Sequence, residues 1–149
     1  MQYEWRYERL GDFTYNLLPE IQVRPFLIEW LIPEWDADRK EFPDQPWTAE
    51  WLELITYMNF TLEVLSLDVI SLRPDLMAYR SDKMNFADSL AARANEREES
   101  LLRGVSTEPL VVNADGLELM DGYTRYEVFR RHNQKEVYAY VGKSVIFGA

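Results

Sequence analysis

Cysteine is absent from the 149 residues, which excludes disulfides, thiolate zinc sites and a thiol nucleophile. Histidine occurs once, at His132, so a multi-histidine metal site is excluded and a lone general base has no orienting partner in the sequence. No apolar run approaches the roughly 18 residues of a membrane span. The N-terminal residues Met1-Gln2-Tyr3-Glu4-Trp5-Arg6 lack the basic-then-apolar order of a secretory signal. The expectation is a soluble cytoplasmic protein without a membrane partner. Positive charge is also scarce: 16 basic against 26 acidic residues give a formal charge of −10. Because phosphate neutralisation by Lys and Arg supplies most non-specific affinity for duplex DNA, direct nucleic-acid binding is not expected.

What is present is an ordinary globular composition, 47% hydrophobic and 28% charged, in a chain long enough for one domain. The acid excess lies in front: residues 1–61 carry a net −7 and residues 62–149 a net −3. All five tryptophans (Trp5, Trp30, Trp35, Trp47 and Trp51) also fall in the first third. These shifts divide the chain into an aromatic-rich N-terminal extension, residues 1–61, packed on a second unit, residues 62–149.

In the extension, Tyr3, Trp5 and Tyr7 alternate with polar residues, the period of a strand with one aromatic face, which reads as core packing. The apolar stretch from Ile21 to Pro33 suits either a buried strand or a short helix. Residues 36–46, charged and holding Pro43 and Pro46, read as a loop. Thr48 is a good cap for a helix carrying Trp51, Leu52 and Ile55.

The second unit reads as α+β. Leu65, Leu67 and Val69 alternate with polar residues as a strand, and Asn85 caps a helix bearing Phe86, Leu90, Ala94 and Leu101 that Gly104 ends. Arg93 and Arg97 read as its solvated face. Residues 109–112 and 117–120 flank Asn113-Ala114-Asp115-Gly116, a turn-rich tetrad that pairs them as a hairpin. The second arm delivers the chain to Asp121-Gly122-Tyr123-Thr124-Arg125, where a helix begins. Thr124 and Glu127 have capping-box spacing, Asn133 terminates the helix, and Val137, Ala139 and Val141 mark a last strand.

The 121–125 turn is the candidate site. A helix start presents backbone N–H groups without partners, and Arg125 offers a planar fork suited to phosphate. The alternative is that Gly122 makes a tight corner and Arg125 pairs with a local acid. Asp121 is either a magnesium or proton-handling acid or the cap of the helix.

Between residues 62 and 142, the order of elements, the stretch Glu108-Pro109-Leu110-Val111-Val112 and the motif Met120-Asp121-Gly122-Tyr123-Thr124-Arg125-Tyr126 resemble the ParB and sulfiredoxin superfamily, the ParB-like nuclease domain type. The resemblance implies a ParB/sulfiredoxin-like core with a small mixed sheet and helices. It also implies a nucleotide (CTP, ATP or ADP) with magnesium, its phosphates at Gly122, Tyr123, Thr124 and Arg125, bordered by Ser106, Thr107 and Glu108. Asp121 and Glu63 are the candidate acids for chemistry on an acceptor. Branches of the superfamily hydrolyse CTP, phosphorylate free serine or repair over-oxidised cysteine. Tyr123 stands where the repair enzymes carry their reactive cysteine, and Tyr123 and Thr124 stand where the serine kinases carry histidines. The resemblance therefore implies nucleotide binding with hydrolase or phosphotransferase chemistry left open. The competing reading is a non-catalytic module whose tryptophan-rich front contacts another protein. A partition or nuclease role follows the family label and conflicts with the charge.

Overall fold

A computed structural model describes residues 2–145. Its first element is a hairpin, β1 (Arg6–Leu10) with β2 (Phe13–Leu17), turned at Gly11 and Asp12. The aromatic alternation starts ahead of β1: Tyr3 and Trp5 lie edge-on to Phe26, at 5.3 and 5.1 Å between ring centroids, while Tyr7 is 64% exposed. The buried strand face is the one on β2, where Phe13, Tyr15 and Leu17 alternate with half-buried Thr14 and Asn16. Sequence reading passed over it.

The stretch that read as strand or short helix is helical, and longer than expected. It belongs to α1 (Glu20–Glu41), 22 residues long, which buries Val23, Leu27, Leu31 and Trp35 at four-residue spacing. Pro25 and Pro33 lie inside it. The carbonyls that lose their helical donors to these prolines belong to Ile21 and Glu29, both exposed residues open to solvent. The loop expected at residues 36–46 is confined to residues 42–46, because residues 36–41 continue the helix. The helix runs on to Glu41 because Asp36 is bonded by Arg39 at 2.7 Å and by Lys40 at 3.3 Å, pairs three and four residues apart on one face. α2 (Trp47–Ile55) follows, and Thr48 does not cap it; the backbone N–H of Thr48 donates to the side-chain oxygen of Gln45 at 3.0 Å.

β3 (Met58–Ser66) pairs antiparallel along its whole length with β6 (Glu136–Ser144). The boundary drawn between residues 61 and 62 falls inside this strand, and residues 146–149 of the second unit lie outside the described residues. A short 3-10 turn (Leu67–Val69), the one-turn α3 (Pro74–Met77) and α4 (Phe86–Leu102) come next. Asn85 caps α4 by accepting from the Asp88 N–H at 3.2 Å. β4 (Leu110–Asn113) and β5 (Glu118–Asp121) form the expected hairpin, and α5 (Tyr123–Arg131) leads into β6. Asn133 ends that last connection in the left-handed region, φ 54°.

The sheet order is β3-β6-β4-β5, mixed because β4 and β6 run parallel. Gly142 on β6 permits β3 to approach: a Cβ there would meet the Phe60 ring at 2.7 Å and the Met58 sulfur at 2.8 Å. One buried cluster runs from Phe13 through Trp51 to Val141, so the front third and the sheet share a core. Phe13 meets Phe129 at 4.9 Å, Tyr15 meets Tyr138 at 5.0 Å, and the Leu18 N–H donates to the buried Tyr140 hydroxyl at 2.9 Å. No helix among the described residues is long and apolar enough to cross a membrane. The architecture is α+β.

Candidate functional site

A cleft of about 530 Å³ opens between the front helices and the sheet unit. One wall comes from α1 and α2, and the other from α4 and the junction of β5 with α5. The sheet delivers Asp121, and Gly122 turns the chain with φ 103°, a backbone that other residues resist. A Cβ at Gly122 would fall 2.7 Å from a Leu110 methyl and 2.8 Å from Nη2 of Arg125. Glycine is thus required twice, by conformation and by the arginine folded over it.

The first turn of α5 has no side-chain cap. The capping-box expectation is corrected: Gly122 is the cap residue, Thr124 is already the second helical residue, and Glu127 pairs with Arg130 and Arg131. Asp121 does not cap either. Its Oδ2 accepts from Nη2 of Arg125 at 3.2 Å, and the same nitrogen donates to the Pro109 carbonyl at 3.2 Å. The local-acid alternative for Arg125 is therefore present as a contact. It leaves the guanidinium incompletely used, because Nε is buried with no partner among the described residues.

The structure brings Glu108, Asp121, Gly122, Tyr123, Thr124 and Arg125 together on the cleft lining. Tyr123 is 7% exposed and held from below, where its hydroxyl donates to the Leu119 carbonyl at 2.9 Å and accepts from the Arg73 N–H at 3.2 Å. With its hydroxyl engaged there, Tyr123 offers its ring to the cleft, and burial raises its phenol above the usual range. Three expected residues are absent from that lining. Ser106 is half-buried on the connection after α4. Thr107 is buried against β2, exchanging backbone bonds with Thr14 and Asn16 at 3.1 and 2.9 Å. Glu63 is exposed on β3, its carboxylate accepting from the Thr61 hydroxyl at 2.8 Å.

Sequence reading missed the contribution of α1. Glu34 and Asp38, one helical turn apart, line the cleft opposite Arg93 and Arg97 of α4. Arg93, read as solvated, lies 5.5 Å from the centre of the Phe86 ring and on the cleft wall. Enclosure by the walls, followed by repulsion from Asp121 and Asp38, holds Glu34 above the usual carboxylate range against the pull of Arg125 and Arg93. Enclosure also raises Asp38, with repulsion from Glu41 added and Arg93 opposing. The signal for both was the four-residue spacing of Leu27, Leu31 and Trp35 running through Pro33. Among the described residues, no group of three or more His, Cys, Asp or Glu side chains is placed to hold a metal ion. His132 stands apart from the cleft lining, with Nε2 2.6 Å from a Glu98 oxygen.

No protein-family model and no curated protein matches this sequence. By fold, part of the chain is similar to two structures of a pNOB8-like ParB N domain. The first is 21% identical over 58% of this chain and 31% of its own, with a TM-score of 0.40. The second is 21% identical over 57% of this chain and 28% of its own, with a TM-score of 0.42. The chain spans less than a third of the length of either.

Proposed function

We propose that the cleft binds a nucleotide, with its phosphates at the start of α5. The observation that carries this reading is the uncapped first turn of that helix, which lines the cleft beside an arginine whose Nε is buried without a partner. The N–H groups of Tyr123, Thr124 and Arg125 lack helical acceptors, and a phosphate oxygen supplies one. The guanidinium adds a charge-assisted bond to the same group. Asp121 competes for Arg125, so an incoming phosphate gains affinity only by outbidding a carboxylate of the same chain. Magnesium enters with the phosphates, whose oxygens coordinate it. Of the two acids considered for proton transfer, Asp121 is the one on the cleft.

The test is a thermal-shift panel of CTP, ATP, ADP and GTP with magnesium on the native chain and on Arg125→Ala. Ligand at a hundred times its dissociation constant stabilises by about 2.7 kcal/mol, roughly 5–10 °C for a chain of this size. A shift in the native chain that Arg125→Ala loses supports the reading. Absence of any shift in the native chain overturns it and leaves the second reading, a protein-interaction module. That reading draws on α1, where Ile21 and Trp30 are 87% and 62% exposed.

A further inference from the structure

Part of the cleft lining is aromatic. The rings of Trp35 and Trp51 lie 5.5 Å apart, Trp51 and Tyr123 6.4 Å, and Phe86 meets Tyr123 edge-on at 5.8 Å. Within this apolar wall stands one hydroxyl that the fold does not explain. Thr48 is 1% exposed, lines the cleft, and its Oγ1 has no hydrogen-bond partner among the described residues. A helical threonine ordinarily turns its hydroxyl back to the carbonyl one turn earlier. Thr48 is the second residue of α2, so the preceding turn is not helical and offers no such carbonyl in register. Next to it, Gln45 is 5% exposed; its Oε1 is used by the Thr48 N–H while its Nε2 has no partner. Buried polar groups are almost always satisfied; of the two, Thr48 is the one on the cleft lining, so its hydroxyl is the group a ligand there can partner.

We propose that this part of the cleft seats the flat heteroaromatic base of the nucleotide, stacked on the tryptophan and tyrosine rings and hydrogen-bonded by the Thr48 hydroxyl. The orientation of the ligand rests on the phosphate reading above; the seat itself does not. Tyr123 joins this part to the helix start, because its ring faces Trp51 while its backbone N–H begins α5. A base against that ring therefore places its attached sugar and phosphates toward the helix start. Stacking accepts any base, and the hydroxyl, both donor and acceptor, adds one directional bond.

The experiment is a titration followed by tryptophan fluorescence, using CTP, ATP, cytidine, adenosine and inorganic tripolyphosphate as probes on native chain, Thr48→Val, Thr48→Ser and Arg125→Ala. Loss of the hydroxyl in Thr48→Val is expected to weaken the preferred nucleoside and its nucleotide about tenfold and to leave tripolyphosphate unchanged. Thr48→Ser keeps the hydroxyl and should retain the native affinity. Arg125→Ala should weaken tripolyphosphate and nucleotide while sparing the nucleoside. Equal nucleotide affinity in native and Thr48→Val, with tripolyphosphate still bound, overturns the base seat and leaves the phosphate turn standing. A nucleoside that binds native chain but not Thr48→Val, with no tripolyphosphate binding, overturns the phosphate turn and supports the seat. Equal losses in Thr48→Ser and Thr48→Val overturn the seat as well, since packing would then be the cause.

Discussion

The two walls of the cleft are built from different materials. The α5 wall is a backbone device, made of a left-handed glycine, uncapped N–H groups and an arginine folded across them, and its chemistry suits a negative charge. The α1–α2 wall is a side-chain device of indole rings, two half-enclosed carboxylates and an unsatisfied hydroxyl, and its chemistry suits a flat ligand with hydrogen-bonding groups. The first is fixed by about five consecutive residues. The second needs residues from 26 to 51 to be carried to the same place by a helix with two internal prolines.

The largest test of this contrast asks whether the two walls share one core. Phe129 is fully buried and meets Phe13 and Tyr15 of the front hairpin. Phe129→Ala should cost about 3–5 kcal/mol, with chemical denaturation still showing one cooperative transition. Two separated transitions in the native chain would mean that the walls fold independently. The next effect belongs to the backbone device. Gly122→Ala should cost about 1–3 kcal/mol, because its φ is unfavourable for alanine and its Cβ meets Leu110 and Arg125. The same substitution should abolish tripolyphosphate binding, whereas unchanged stability would show that the turn tolerates a side chain.

A smaller effect marks a residue that serves neither wall directly. Asn85→Ala removes the α4 cap and should cost about 1 kcal/mol, a shift of roughly 2–4 °C, without changing ligand affinity. The smallest concerns the carboxylates. Glu34 and Asp38 titrate above the usual carboxylate range, so lowering the pH from 7.5 to 5 begins to neutralise them. Their repulsion of an anion near Arg125 and Arg93 then fades. Sulfate, whose charge is constant across this range, should bind about 2–5-fold more tightly at the lower pH. Glu34→Gln should flatten the profile. The sign for stability agrees: a carboxylate raised in the folded state opposes folding most at neutral pH, and the opposition is relieved as pH falls through the raised value.

How legible each wall was follows from the range over which it is encoded. The Asn113–Gly116 tetrad, Asp121-Gly122, the Asn85 cap and the alternating Val137, Ala139 and Val141 act within a few residues, and each stands where its local chemistry placed it. Thr124, a cap by spacing, lost that role because the helix starts from Gly122, two residues before it. The helix through Pro25 and Pro33 was hidden because proline normally ends helices, and only tertiary burial of Val23, Leu27, Leu31 and Trp35 outweighs the lost bonds. Glu34, Asp38 and Thr48 were invisible as site residues for a related reason: they reach the same cleft as Arg125 only through the packing of α1 and α2. Glu63 and Thr107 fail to reach the cleft although they lie in the unit that carries the turn, since one faces outward on β3 and the other is stitched to β2.

The most direct test of the central claim is the backbone amide spectrum of isotope-labelled native chain titrated with magnesium and CTP, ATP, ADP or GTP. The account predicts that the N–H resonances of Tyr123, Thr124 and Arg125 move furthest and saturate together with one of these nucleotides. Saturating shifts confined to other elements, with these three resonances unmoved, would contradict it.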